Sequence, residues 1–145
     1  MSVRTIETRD IDAILAIQSA SPEIAQWTTR DYARVARGEM AGWVTEEKDQ
    51  VTGFLVARRI ASDLDILNFA VRPDARKKGV GTLLVREAMA WGKTFAAHKA
   101  FLEVRSSNLA ALRFYERHGF EVTGRRPRYY AAPIEDALVL AITLA

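Results

Sequence analysis

Two side chains in this sequence have the types and the setting for acid–base chemistry. Glu103 stands between Leu102 and Val104, in a strand-like segment whose Ala100, Leu102 and Val104 share one face while Phe101, Glu103 and Arg105 share the other. A carboxylate is rarely buried without a partner. Glu103 therefore pairs with Arg105 or another cation, lies on an exposed strand face, or acts as a general base at a strand end, where α/β sheets place their ligand sites. Tyr115 follows Asn108 by two helical turns, so both lie on one face with Cα atoms roughly 10 Å apart along the axis. Capping by Asn108 and core packing by Tyr115 are their ordinary roles. With Glu103 on the preceding strand, they would line one wall of a cleft.

A second chemical feature is the basic, glycine-bearing run Arg76-Lys77-Lys78-Gly79-Val80-Gly81-Thr82. The apolar residues Ile66 to Val71 before it suit a strand covered on both faces. Pro73 ends that strand, because it cannot donate to a ladder and it holds Arg72 extended. From Val80 onward Leu83, Leu84, Ala88 and Trp91 recur at helical spacing. Each cation at a helix N-terminus opposes the dipole by about 0.3–1 kcal/mol, and acids or hydroxyls are the usual residues there. Three cations and two glycines in that place fit an anion held on exposed backbone N–H groups, with glycine admitting a phosphate close to the main chain. The alternative is a solvated basic turn. The run is no dinucleotide fingerprint, since Leu84 stands where a third glycine belongs, and no Walker loop, since no Gly-Lys-Ser/Thr follows.

Length and composition narrow the rest. The 145 residues predict one domain, 1–145, and 49% hydrophobic with 27% charged residues is a globular balance. The charged start (Arg4, Glu7, Arg9, Asp10) is unlike a signal peptide, and no apolar run nears the ~20 residues of a membrane helix. Zero cysteines exclude disulfides, thiol nucleophiles and thiolate metal sites; His98 and His118 lack any ligand spacing, so no metal is expected. These features predict a cytoplasmic protein with no membrane partner. A net charge of +3 permits an acidic partner. Arg125, Arg126 and Arg128, followed by Tyr129 and Tyr130, raise a nucleic-acid surface, but acidic residues interspersed throughout make it the weaker reading.

The elements that must hold these groups follow from periodicity. Val3 to Thr8 reads as a strand; Asp10 or Asp12 caps a helix to about Ala20; Thr28 or Thr29 starts a second that ends at Gly38. Trp27, in the linker between them, reads as an anchor. Ala41 to Glu46 and Val51 to Ala57 form a hairpin, Asp63 to Val71 a strand, and Gly79 to about Lys93 a helix. Lys99 to Arg105 is a strand, Asn108 to His118 a helix closed by a Schellman stop at Gly119-Phe120, and Glu121 to Arg126 and Ala137 to Leu144 are closing strands around a loop at Arg128 to Ile134. The order β-α-α-β-β-β-α-β-α-β-β predicts an α/β fold, a mixed sheet with helices on both faces.

The pattern Val71-x-Pro73-x-x-Arg76-x-x-Gly79-x-Gly81 resembles motif A of the GNAT acyl-CoA N-acetyltransferases. Leu102-Glu103-Val104-Arg105-x-Ser107-Asn108-x-x-Ala111-x-x-x-Tyr115-x-x-x-Gly119-Phe120 is similar to its second half. The likeness spans Asp63 to about Ile142, and this version resembles the N-terminal protein acetyltransferases, above all the bacterial branch that acetylates the N-terminal alanine of a small-subunit ribosomal protein. The resemblance implies a GNAT-type fold and acetyl-CoA as cosubstrate. It implies that Phe69, Ala70 and Val71 offer main-chain hydrogen bonds to the pantetheine arm and that Arg76, Lys77, Lys78, Gly79, Val80, Gly81 and Thr82 wrap the pyrophosphate. Asn108 would bind the pantetheine region, with Glu103 as general base and Tyr115 as general acid. Trp27 and Tyr130 would lie on the side of the acceptor, a protein N-terminal peptide. Two features depart from the branch: Gln26 precedes Trp27 where proline is frequent, and the Tyr129-Tyr130 loop is shorter.

These residue types suit that chemistry. A protonated amine cannot attack a thioester, so a base must first take a proton. An α-amine titrates at about 7.7–8.0 against about 10.4 for lysine, so lysine costs roughly 3.4 kcal/mol more to deprotonate at neutral pH. One carboxylate is an adequate base for the former, and a tyrosine hydroxyl can protonate the departing thiolate. A small amine or lysine side chain as acceptor, or a non-catalytic acyl-CoA-binding module, are the competing readings.

Overall fold

Thr28 accepts a hydrogen bond from the Asp31 N–H while Asp31 accepts one from the Thr28 N–H, a capping box that starts helix α2 (Thr29–Ala36). The first helix, α1 (Ile11–Ser19), starts differently from expectation: neither aspartate caps it. Asp10 is buried, accepts from the Glu7 N–H within a 3-10 turn (Thr8–Asp10), and is gripped by both terminal nitrogens of Arg4 at 2.8 Å. The charge of Arg4, not the helix, claims that carboxylate.

The computed structural model describes residues 1–144. The strands are β1 (Ser2–Thr5), β2 (Ala41–Glu47), β3 (Gln50–Ile60), β4 (Asp63–Val71), β5 (Lys99–Arg105), β6 (Glu121–Ala131) and β7 (Ile134–Thr143); the remaining helices are α3 (Val80–Thr94) and α4 (Leu109–Arg117). They form one seven-stranded sheet in the order β1-β2-β3-β4-β5-β7-β6, antiparallel except for the β4–β5 pair. Ile14 of α1 and Tyr32 of α2 pack with Val44, Phe54, Val56 and Ala70 on one face. Leu84 and Ala88 of α3 and Leu112 and Tyr115 of α4 pack with Leu55, Leu64, Leu102 and Leu140 on the other. The mixed α/β sheet covered on both faces is the one the periodicity predicts. No helix is long and apolar enough to cross a membrane.

Two irregularities shape the site. Val56 opposes Asn68 while Ala57 opposes Ile66, so Leu67 is an extra residue in β4. That bulge reverses side-chain parity. Leu64 and Ile66 face α3, and beyond the bulge it is Phe69 and Val71 that keep this face while Ala70 turns to α1 and α2. The second irregularity is at the tip of β6–β7. A loop is expected at Arg128 to Ile134, but pairing resumes at Tyr130 with Glu135 and Ala131 with Ile134. The register slips between Arg126 and Tyr130 instead, where Pro127 has no N–H for a ladder and Arg128 adopts φ 52°. The expected loop is a bulged hairpin.

Candidate active site

β4 and β5 pair only through Leu64 with Ala100 and Asp65 with Phe101. Beyond Asp65 the two strands part: β5 stays paired with β7 as far as Arg105, while one edge of β4 has no strand partner among the described residues. The gap opens a cleft of about 250 Å³, the position at which parallel α/β strands present ligand sites. Its walls combine Phe69 of β4, Glu103 of β5, Asn108 and Tyr115 beside α4, and Tyr129 and Tyr130 of the hairpin. The α1–α2 linker closes the cleft with Glu23, Ile24 and Ala25.

The linker is fixed by a buried polar network. Gln18 accepts from the Trp27 N–H and donates to the Trp27 carbonyl, both at 2.9 Å. The Tyr32 hydroxyl donates to Gln18, and Asn68 Nδ2 donates to that hydroxyl at 3.0 Å and to the Ala25 carbonyl at 3.1 Å. Trp27, expected on the acceptor side, packs its ring on Tyr32 with centroids 5.5 Å apart and is absent from the cleft walls. Both main-chain polar groups of Trp27 are taken by Gln18, so the residue serves to position Glu23, Ile24 and Ala25.

Glu103 does not pair with Arg105. That arginine pairs with Glu135 at 3.2 Å and lies over the Tyr130 ring at 4.3 Å, while Glu135 also accepts from the Ser107 N–H at 2.6 Å. Hydrogen bonds from Ser107 hold the Glu135 carboxyl below its usual range, and the group pins the hairpin to the start of α4. Glu103 instead faces Arg126 Nε at 3.4 Å, and its buried Oε2 has no hydrogen-bond partner among the described residues. Its charge pushes the Tyr129 hydroxyl above the ordinary phenol value, and burial, with Glu103 second, pushes Tyr130 up to about 12.

Tyr115 is set by the helix stop behind it. The Phe120 N–H donates to the Tyr115 carbonyl and the Gly119 N–H to that of Glu116, both at 3.0 Å, which is the Schellman pattern read from the sequence. The Phe120 ring then meets Tyr115 at 5.3 Å, with Phe69 at 6.0 Å and Phe114 at 5.3 Å. Burial raises the Tyr115 phenol well above its ordinary value, so it stays protonated at any physiological pH. Asn108 caps α4 by accepting from the Ala111 N–H at 3.2 Å and still borders the cleft.

The main-chain groups of β4 divide by register. Arg72 N–H donates to the Thr52 carbonyl, so alternation directs the polar groups of Ala70 toward Phe54 of β3 and those of Phe69 and Val71 toward the gap. Ala70 therefore has no main-chain group to offer a ligand there. Phe69 N–H bonds Asn68 Oδ1 at 3.2 Å, and the Val71 carbonyl accepts from Arg76.

The basic run forms the entry to α3. Arg76 uses its guanidinium on the Val71 carbonyl at 3.1 Å and Ser21 Oγ at 3.2 Å, while Lys77 and Lys78 are exposed. Gly79 sits at φ 85° as a cap without a side chain, and no acid occupies the first turn. The first helical bond runs from Leu83 N–H to the Gly79 carbonyl, leaving Val80, Gly81 and Thr82 with N–H groups that lack helical partners. The two glycines have different reasons. A Cβ on Gly79 would meet open space, so left-handed backbone requires it; a Cβ on Gly81 would lie 3.0 Å from the Phe114 ring and 3.1 Å from Phe69. Thr82 is tethered to α4: His118 Nδ1 bonds the Phe114 carbonyl at 2.8 Å, so Nδ1 carries the proton and Nε2 accepts from Thr82 at 2.9 Å.

Sequence reasoning missed Asp65. It lies in β4 between Leu64 and Ile66, is 8% exposed, pairs with Arg58 at 3.2 Å and borders the cleft. Burial raises its carboxyl above the ordinary value, Arg58 opposes the shift, and Glu103 adds to it. A carboxylate between two apolar strand residues is the signal that singles out Glu103, and it applies equally here.

Residues 9–120 match the Acetyltransferase (GNAT) family. A Bacillus subtilis (strain 168) protein, named for N-acetylation of the alanine of ribosomal protein bS18, is 32% identical over 145 residues, spanning 99% of this chain and 95% of the relative. An N-alpha-acetyltransferase of Sulfolobus acidocaldarius is 31% identical over 98% of this chain and 92% of its own length. Among solved structures, Ard1 from Thermoplasma volcanium superposes with a TM-score of 0.87 at 26% identity, covering 99% of this chain and 97% of that one. With a family pattern across most of its length, two full-length relatives above 30% identity and a sheet parted at β4 and β5, this chain belongs to the GNAT acetyltransferase family.

Proposed function

We propose that the protein transfers acetyl from acetyl-CoA to the N-terminal α-amine of a protein, with an alanine-led ribosomal protein N-terminus as its acceptor in the cytoplasm. The observation that carries the reading is the pairing of Glu103, one of whose oxygens is buried without a hydrogen bond from the described residues, with the protonated, buried Tyr115 in one cleft. The α3 entry supports acetyl-CoA, since its free N–H groups, its lack of acids and its flanking lysines suit a pyrophosphate. A related fold, Arabidopsis thaliana NAA60, has been solved in complex with acetyl-CoA. The acceptor is supported by relatives named for ribosomal protein bS18.

In this scheme Glu103 takes a proton from the incoming ammonium, directly or through a water, and the free amine attacks the thioester carbonyl. The Val71 N–H, directed into the gap, is a donor for the oxyanion that forms. As the tetrahedral intermediate collapses and its C–S bond breaks, Tyr115 gives its proton to the departing thiolate, and the phenolate regains one from the acylated nitrogen to leave a neutral amide. Its ring contacts with Phe69, Phe114 and Phe120 hold the hydroxyl in place, which is where proximity contributes most to the rate.

The test is mass spectrometry of peptides incubated with the protein and acetyl-CoA. A mass gain of one acetyl at the α-amine of an alanine-led peptide, absent when that amine is blocked, is expected. Acetylation confined to lysine side chains or small amines would replace the acceptor reading, and no transfer to any amine would remove the activity.

A further inference from the structure

The pair between Glu103 and Arg126 is loose beside the grip of Arg4, which gives both terminal nitrogens to Asp10 at 2.8 Å. Arg126 reaches Glu103 through Nε alone at 3.4 Å, and the oxygen it faces is buried with no hydrogen bond among the described residues. Charge-assisted bonds run about 2.7–2.9 Å, so the contact is Coulombic and loose. Arg126 is also 56% exposed, against 23% for Glu103, and stands on the edge strand β6 rather than in the cleft walls.

Its backbone setting allows it to leave. Arg126 is the last residue paired with β7, opposite Ala137, before the register slips. Pro127 follows with no N–H to donate. The Arg126 guanidinium already lies 5.7 Å from the centroid of the Tyr129 ring, within range of a cation–π contact that remains to it when the carboxylate is given up.

We propose that Arg126 is a surrogate cation that holds the substrate's place on Glu103, and that the α-ammonium of the peptide displaces it on binding. This rests on the α-amine reading of the acceptor. Displacement exchanges one cation on Glu103 for another, and Arg126 withdraws onto the Tyr129 ring. Arg126 thereby acts on specificity: an acceptor without a positive charge at its amine gains nothing to offset the lost pair, and binds more weakly. The device also keeps the buried Oε2 of Glu103 from standing uncompensated in the free enzyme.

The experiment measures steady-state KM for an alanine-led peptide and for acetyl-CoA in wild type, Arg126→Met and Arg126→Lys. Methionine keeps the stem and removes the competitor, so the peptide KM falls by roughly threefold, the scale of a half-exposed ion pair. KM for acetyl-CoA stays put, and lysine, which keeps the cation, restores the peptide KM toward wild type. Calorimetric binding of the peptide in the presence of CoA supplies a readout that a merely structural role would not move: Arg126→Met tightens binding with Glu103 present and has no effect beside Glu103→Gln. A peptide KM that rises or is unchanged in Arg126→Met, with wild type active, overturns the surrogate role alone. Wild type inactive on every peptide overturns it together with the acceptor reading.

Discussion

The two halves of the cleft are built by different means. The half proposed to take the cofactor comes from one continuous stretch, β4 and the entry to α3, and would work mainly through backbone: the free edge of β4, the left-handed Gly79 and the N–H groups of Val80 to Thr82. The half proposed to take the acceptor is assembled from segments far apart in the chain, with Ile24 and Ala25 from a linker, Glu103 from β5 and Tyr129 and Tyr130 from a bulged hairpin. It works through side chains and charge. A backbone cradle leaves few choices of residue, while a side-chain wall can be rebuilt one residue at a time. A family can therefore keep its cofactor and vary its amine.

Glu103 and Tyr115 stand at the seam, so their loss has the largest effect and falls on neither half's binding. Glu103→Gln lowers kcat by about 10²–10⁴, the range for a positioned acid or base, and Tyr115→Phe lowers it within the same range. Calorimetric affinity for acetyl-CoA stays within about twofold in both. Transfer assays beside that titration check this. Loss of acetyl-CoA binding in either variant would place the residue in the cofactor half instead.

Gly79→Asp comes next and separates fold from function on the cofactor side. A side chain there meets open space, so its folding cost is the left-handed backbone, on the order of 1 kcal/mol. Its charge, however, sits beside the α3 N–H groups proposed to hold the pyrophosphate. The expected result is a protein that melts within a few degrees of wild type, binds acetyl-CoA about 10–100-fold more weakly, and leaves peptide binding unaltered. Thermal melts and calorimetry with each ligand check all three. A change in peptide affinity of similar size would break the division into halves.

The same division explains what is legible in the sequence. The start of α2, the stop of α4, Pro73 and Gly79 are local signals with local causes, and the helices, the basic turn before α3 and the Schellman stop follow from them. Glu103 is visible as a charge in an apolar strand, but its partner is not: Arg105 is the nearer cation in sequence, and only the β5-β7-β6 order brings Arg126 to it. The Leu67 bulge leaves no mark in the composition of β4, so the turn of the Ala70 side chain toward α1 and α2 is invisible there. Trp27 reads as an anchor from its place in a linker, and its position away from the cleft depends on Gln18, nine residues earlier.

On the acceptor side, Tyr130→Ala removes a ring that borders the cleft beneath the Arg105 guanidinium. Losing one such aromatic wall weakens peptide binding by roughly tenfold, at about 1.4 kcal/mol. Acetyl-CoA KM is unchanged, and a kinetic titration of each substrate measures both. Equal effects on the two substrates would mean that the hairpin orders the whole cleft rather than covering one side.

The smallest effect tests why Asp65 is a carboxylate at all. Its folded pKa is raised by burial, so the folded state binds that proton more readily than the unfolded chain does. The stability this supplies is present in full below the ordinary carboxylate value of about 3.9 and is lost as pH rises through the higher folded value. At pH 7 Asp65 is ionised in a buried site, offset only by Arg58, which is 48% exposed and of small worth. Asp65→Asn therefore melts about 2 °C higher than wild type at pH 7, and the gap closes as the pH falls toward 4. Thermal melts across that window read the effect directly. A lower melting temperature at pH 7 would mean that the Arg58 pair outweighs the cost of burial and that Asp65 is a structural residue of β4. The expected rise makes it a destabilising negative charge in the same cleft wall as Glu103, where the proposed cationic amine would arrive.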